Sequence, residues 1–154
     1  MYAGYGEPNF HLDNVAASVR GGLNLISHSP ASFEPMIDTY DIPENLGLLL
    51  GLSDHQKING TEGMRQLLTE PIEREDFVNQ GGLIASTIAA LVSDNVDGVL
   101  ERIWGDRFHE VRRADAKGYG NFTFEEFQEL RRYLFKRERV AMVVSGAGPN
   151  MLFL

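Results

Sequence analysis

At 154 residues, 43% of them hydrophobic and 23% charged, the chain is long enough to bury one core without staples and falls in the globular range. A formal net charge of −8 argues against nucleic acid or an anionic membrane surface as a partner. The absence of cysteine excludes disulfides, thiol catalysis and the usual structural zinc sites, and no apolar run approaches the roughly 20 residues of a membrane-spanning helix.

The leader MYAGYGEPNF carries Gly4, Gly6 and Pro8, which discourage a helix, and lacks the basic amphipathic pattern of an organelle transit peptide. Residues 12–27 place Leu12, Val15, Val19, Leu23 and Ile26 at helical spacing, weakened by Gly21-Gly22. Pro30, Pro35 and Pro43 punctuate a stretch that reads as extended chain anchored by Phe33 and Tyr40. Residues 1–45 are thus expected to form an extended docking segment with one short helix. Residues 46–52 read as a small apolar helix, and Asn59-Gly-Thr-Glu62 caps another that carries Met64, Leu67 and Leu68. Pro71 ends it. Residues 72–92 hold Phe77 and Val78, a double glycine, and then LIASTIAALV, which reads as a buried helix.

From Val96 the apolar residues Val99, Leu100, Ile103, Trp104, Phe108 and Val111 form a 3.6-residue stripe, and Asp94 or Asn95 can cap its start. A second helix opens on Thr123-x-x-Glu126, a capping-box pattern, and places Phe124, Phe127, Leu130 and Leu134 along one side. Trp104 and Phe108 are expected to pack against Phe124, Phe127 and Leu130. Arg131, Arg132, Lys136, Arg137 and Arg139 read as a solvated helix end, where the helix dipole favours cations. Between the two helices Asp115, Gly120, Phe122 and Glu126 stand at positions 1, 6, 8 and 12 of a twelve-residue loop. The stretch from about residue 100 to 136 therefore resembles a single EF-hand, a helix–loop–helix calcium unit. The resemblance implies Asp115, Asn121 and Glu126 as the remaining ligands of a vestigial calcium loop. Lys117 and Tyr119 stand where further carboxylates belong, so the loop is expected to be empty and the chain to carry no cofactor, calcium being the alternative. Asp76, Gly81 and Leu83 echo positions 1, 6 and 8, a metal-free sister loop that would end at Thr87.

The tail VAMVVSGAGPNMLFL offers a strand followed by a glycine turn, but Met151 stands where a dinucleotide-binding fold needs a small residue, and that site is rejected. Val140–Val144 read instead as a strand or packed tail, and Met151, Leu152, Phe153 and Leu154 as an apolar plug. The four histidines are scattered, no nucleophile elbow occurs, and no phosphate-cradling loop precedes a lysine. The expected fold is mainly α: an EF-hand-like helical domain over residues 46–139, additional short helices, and extended tails, the C-terminal one covering 140–154. The expected function is that of a non-enzymatic structural or adaptor subunit docking on other chains of a larger assembly, with a calcium-responsive regulatory protein as the alternative. The resemblance implies an intracellular, cytoplasmic setting, with cytoskeletal, ciliary or organellar complexes in view.

Overall fold

A computed structural model of the chain describes residues 12–55, 60–68, 71–106, 108–115, 119, 122–146 and 148–154. It divides into two compact units, Met1–Ile42 and Pro43–Leu154. In the first, helix α1 (Leu12–Arg20) stops where Gly21 and Gly22 adopt left-handed backbone, φ 66° and 63°. A Cβ on Gly22 would lie 2.8 Å from Tyr40 O, so only glycine lets the chain turn back this closely. Strands β1 (Leu23–His28) and β2 (Pro35–Tyr40) then pair antiparallel, from Leu23↔Tyr40 to His28↔Pro35. The hairpin loop closes through Ser29 N to Glu34 O at 2.9 Å and Phe33 N to Ser29 O at 2.8 Å. Arg20 Nη1 ties the end of α1 to Ile37 O at 3.0 Å.

The second unit carries β3 (Leu49–Gly51), α2 (Gly60–Gln66), α3 (Arg74–Val92), α4 (Val96–Arg102), α5 (His109–Asp115), α6 (Phe124–Glu138), β4 (Met142–Val144) and β5 (Met151–Phe153). Its sheet runs β3-β5-β4, antiparallel throughout, with β5 at the centre. Met64, Ala114 and Tyr119 form a buried cluster, with Leu67, Phe124, Val144 and Met151 packed against it. Asn95 caps α4 by accepting from Gly98 N at 2.9 Å. Thr123 and Glu126 form the reciprocal capping box that their spacing predicts. Among the described residues no helix is long and apolar enough to cross a membrane.

Several expectations are corrected. The fold is not mainly α: among the described residues two antiparallel sheets accompany the helices. The proline-punctuated stretch is a hairpin because Pro35 stands at the first position of its strand, where a missing N–H is tolerated. Residues 46–52 yield a turn, Leu46 N to Pro43 O at 2.9 Å, and then β3. The proposed sister loop at 76–87 lies inside α3, where Ser86 and Thr87 hydroxyls donate to Leu83 O. The long helix predicted from Val96 ends already at Arg102, and the chain passes through Gly105, where a Cβ would meet Leu83 Cδ2 at 2.9 Å, before α5 begins. Trp104 shares a cavity wall with Phe124, but its ring partner is Phe135, at 6.0 Å. Phe108 lies under the Arg112 guanidinium, 4.4 Å away, and Leu130 is 39% exposed. The MLFL residues are the central strand of their own unit's sheet rather than a plug for another chain.

Candidate active site

The turn between β4 and β5 closes through Ser145 N to Asn150 O at 2.8 Å and Gly148 N to Ser145 O at 3.0 Å. Gly146 and Gly148 have left-handed backbone, φ 60° and 75°, and the Gly148–Pro149 peptide is cis. Gly148 has a second reason to lack a side chain: a Cβ there would lie 2.6 Å from Cε1 of Tyr119. Asn150 Oδ1 accepts from Ser53 N at 3.1 Å, which fixes the far side of the turn to the segment after β3. Beside it lies a cavity of about 320 Å³ whose wall includes Tyr119, Phe127, Met142, Pro149 and Phe153.

Side chains from α5 and α6 hold the near side. In the β4–β5 ladder Ala141 pairs with Leu154 and Ser145 with Asn150. The alternation of antiparallel pairing then points Met142 O and Val144 N toward the free edge of β4. Arg131 Nε donates to Met142 O at 2.8 Å, and Val144 N donates to Glu110 Oε1 at 3.1 Å. Arg113 Nη1 donates to Gly146 O at 3.1 Å. Glu110 and Arg131 also meet each other, Oε2 to Nη1 at 2.6 Å, with side-chain exposures of 7% and 1%. The Arg131 guanidinium lies 4.3 Å from the centre of the Phe127 ring. Removing one member of such a pair costs about 3–5 kcal/mol, because the other is left charged and buried. Replacing both with apolar groups is often neutral, so the pair places groups more than it adds stability.

Three polar groups around the turn are incompletely engaged. Arg113 Nε, Arg131 Nη2 and the Tyr119 hydroxyl are buried without a well-formed hydrogen bond among the described residues, and the phenol lies close enough to the Arg113 side chain to interact with it. Burial, and after it the Glu110 carboxylate, push the Tyr119 phenol well above its ordinary range, against the opposing pull of Arg113. It stays protonated at physiological pH and keeps a proton to donate. At the head of α5, Asp106 accepts from Phe108 N at 2.7 Å and His109 N at 3.0 Å, with His109 Nδ1 at 3.2 Å. Burial raises its pKa, but the His109 side chain and the two amides outweigh that, and the carboxyl is held below the usual range. The arrangement is a glycine turn flanked by a guanidinium and a phenol with donors to spare, which is chemistry suited to an anion.

Two of the three residues singled out by the EF-hand resemblance fall wholly or in their side chains outside the described residues. Asp115 is the last residue of α5 and its side chain falls outside the described residues, as Asn121 does altogether. Glu126 is exposed and spends its carboxylate on the capping box, accepting from Thr123 N at 2.8 Å and Thr123 Oγ1 at 3.0 Å. Those bonds hold its pKa below the ordinary value. No group of three His, Cys, Asp or Glu among the described residues is placed to hold a metal ion. Arg131, expected at a solvated helix end, is 1% exposed and central to the site. Glu110, Arg113 and Tyr119 escaped sequence reasoning. The available signal was the three-residue spacing of Glu110 and Arg113, which puts both on one face of α5.

No family model matches the chain. In fold it is similar to the solved structure of homoserine kinase from Cytophaga hutchinsonii, with a TM-score of 0.70 over 93% of this chain and 41% of that one, at 20% identity. In sequence it is 31% identical over 145 residues to the homoserine kinase of Thermoplasma acidophilum, and 27% identical over 142 residues to that of Staphylococcus aureus strain MSSA476. These alignments take in 94% and 92% of this chain but 43% of each relative, so the chain spans less than half the length of the curated relatives it matches. The fold likeness displaces the EF-hand. The curated relatives, all named as kinases, overturn the expectation of a non-enzymatic adaptor or calcium-responsive subunit with a cytoskeletal or ciliary setting.

Proposed function

We propose that this chain takes part in phosphoryl transfer from a nucleoside triphosphate to the hydroxyl of homoserine, contributing an anion-holding part of the site. The observation that carries the reading is the similarity to homoserine kinases across 94% of the chain. The geometry around the glycine turn supports it. In such a reaction the hydroxyl oxygen bonds to the γ-phosphorus, the bond to the bridging oxygen breaks, and the hydroxyl proton is lost; catalysis rests on positioning and charge stabilisation. Arg113 supplies a guanidinium beside Gly146, suited to a carboxylate or phosphate oxygen, and Tyr119 a neutral O–H. Because the chain covers 43% of its relatives' length, the reading assigns it a portion of a kinase site. On this reading the activity is cytoplasmic.

The test is phosphohomoserine formation, followed by phosphorus NMR with magnesium and ATP. It is paired with a titration of the isotopically labelled chain by L-homoserine, read at the Gly146 and Gly148 amides. Arg113→Ala should weaken homoserine about 10- to 100-fold, the scale of one charge-assisted hydrogen bond of about 1.5–3 kcal/mol. Homoserine lactone, which lacks the carboxylate, should be insensitive to that substitution. A folded chain that neither turns over nor responds to homoserine at those amides overturns the reading.

A further inference from the structure

We propose that Glu110 and Arg131 are positioning residues that set the glycine turn against Arg113, an inference that rests on the homoserine-kinase reading for its ligand but on its own geometry for its mechanism. The outward-facing backbone groups of β4 fall at alternate residues: Met142 O, Val144 N and, continuing into the turn, Gly146 O. Each is taken by a different side chain, Arg131, Glu110 and Arg113 respectively. Glu110 and Arg113 share one face of α5, so a single short helix grips the chain just before the turn and again within it. Arg131 reaches in from α6 and joins Glu110 through the 2.6 Å ion pair. A further contact, Nη1 to Trp104 O at 3.4 Å, ties the same guanidinium to the segment between α4 and α5.

A free sheet edge needs its backbone groups satisfied or covered, and water or a plain apolar cover serves that purpose at most edges. Here the edge is instead read by two charges that are almost fully buried. Buried ion pairs seldom repay their desolvation in stability, so their retention is better explained by the geometry they impose. That geometry is the distance between the α5 face bearing Arg113 and the amides of the turn.

The decisive comparison is between wild type and the double variant Glu110→Leu with Arg131→Met, which leaves no buried charge unpaired. Glu110→Gln serves as a second variant that keeps the acceptor for Val144 N while removing the charge. Three measurements are made on the whole chain: thermal midpoint, hydrogen exchange at the Val144 amide, and homoserine titration at the Gly146 and Gly148 amides. The double variant should melt within a few degrees of wild type, exchange Val144 at least tenfold faster, and require at least tenfold more homoserine for the same shift. Glu110→Gln should retain Val144 protection and lose less of the response. A double variant that binds homoserine as wild type does reduces the pair to a structural role and overturns the proposal. If it fails to fold, Glu110→Gln decides: an unchanged titration sinks the idea and a weakened one supports it. If wild type itself ignores homoserine, the reading of function fails, and the bracket is judged by Val144 alone: unchanged exchange in both variants overturns it, and tenfold faster exchange in the double variant supports it.

Discussion

At Gly148 a left-handed φ of 75° coincides with a ring atom 2.6 Å from where a Cβ would stand. Gly148→Ala should therefore destabilise the second unit by about 1–3 kcal/mol, the range for backbone strain at a single residue, with displacement of Tyr119 added to it. Chemical denaturation with tryptophan fluorescence from Trp104 measures this, and a loss under 0.5 kcal/mol refutes the contact. Tyr119 itself gives the opposite expectation. Its hydroxyl is buried without a well-formed hydrogen bond, so Tyr119→Phe should change stability little, while homoserine binding falls if the phenol serves the ligand. Asp106 belongs to the same scale. Its folded pKa lies below the ordinary value near 3.9, so the stability it contributes is fully present above that pH and is lost as pH falls through the folded pKa. Asp106→Asn should flatten the acid limb of the stability profile below about pH 4, the range set by that ordinary value, and an unchanged limb would place the titration elsewhere.

Among the elements, α6 is the best specified, and its capping box was legible because both partners lie within four residues. Thr123→Ala should lower stability by about 1 kcal/mol, as loss of an N-cap does, and circular dichroism melts will show it. The twin-glycine stop of α1 was visible as a weakness in the helical pattern, yet the strand that follows was not, since β1 mixes polar and apolar residues with little alternation. Strands β3 and β5 are three residues each, too short for any period to register, whereas β4 falls within the Val140–Val144 run that read as a strand or packed tail. The glycine turn was read for one kind of phosphate site and set aside when Met151 failed that pattern, although Met151 begins a strand and no helix was needed. Arg131 looked like any cation near a helix end. Only its partner Glu110, on a different helix, explains its burial, and pairing between distant elements leaves no mark in a single sequence.

Across the second unit, stability is shared between a small apolar cluster and the sheet. Met64, fully buried, is expected to cost about 2–5 kcal/mol on replacement by alanine. Deleting residues 151–154 should unfold this unit outright, because β5 is the strand on which both neighbours depend. Retention of cooperative melting after that deletion would mean that the sheet is dispensable. The central place of β5 also bears on how the unit is made. During vectorial synthesis β3 leaves the ribosome roughly a hundred residues ahead of its partner, and Leu49 and Leu50, half or more exposed even in the finished fold, wait unpaired until then. A ribosome stalled before residue 151 should hold the helices of the second unit but not its sheet, and the nascent chain is most exposed to chaperones and to stray strand pairing over that interval.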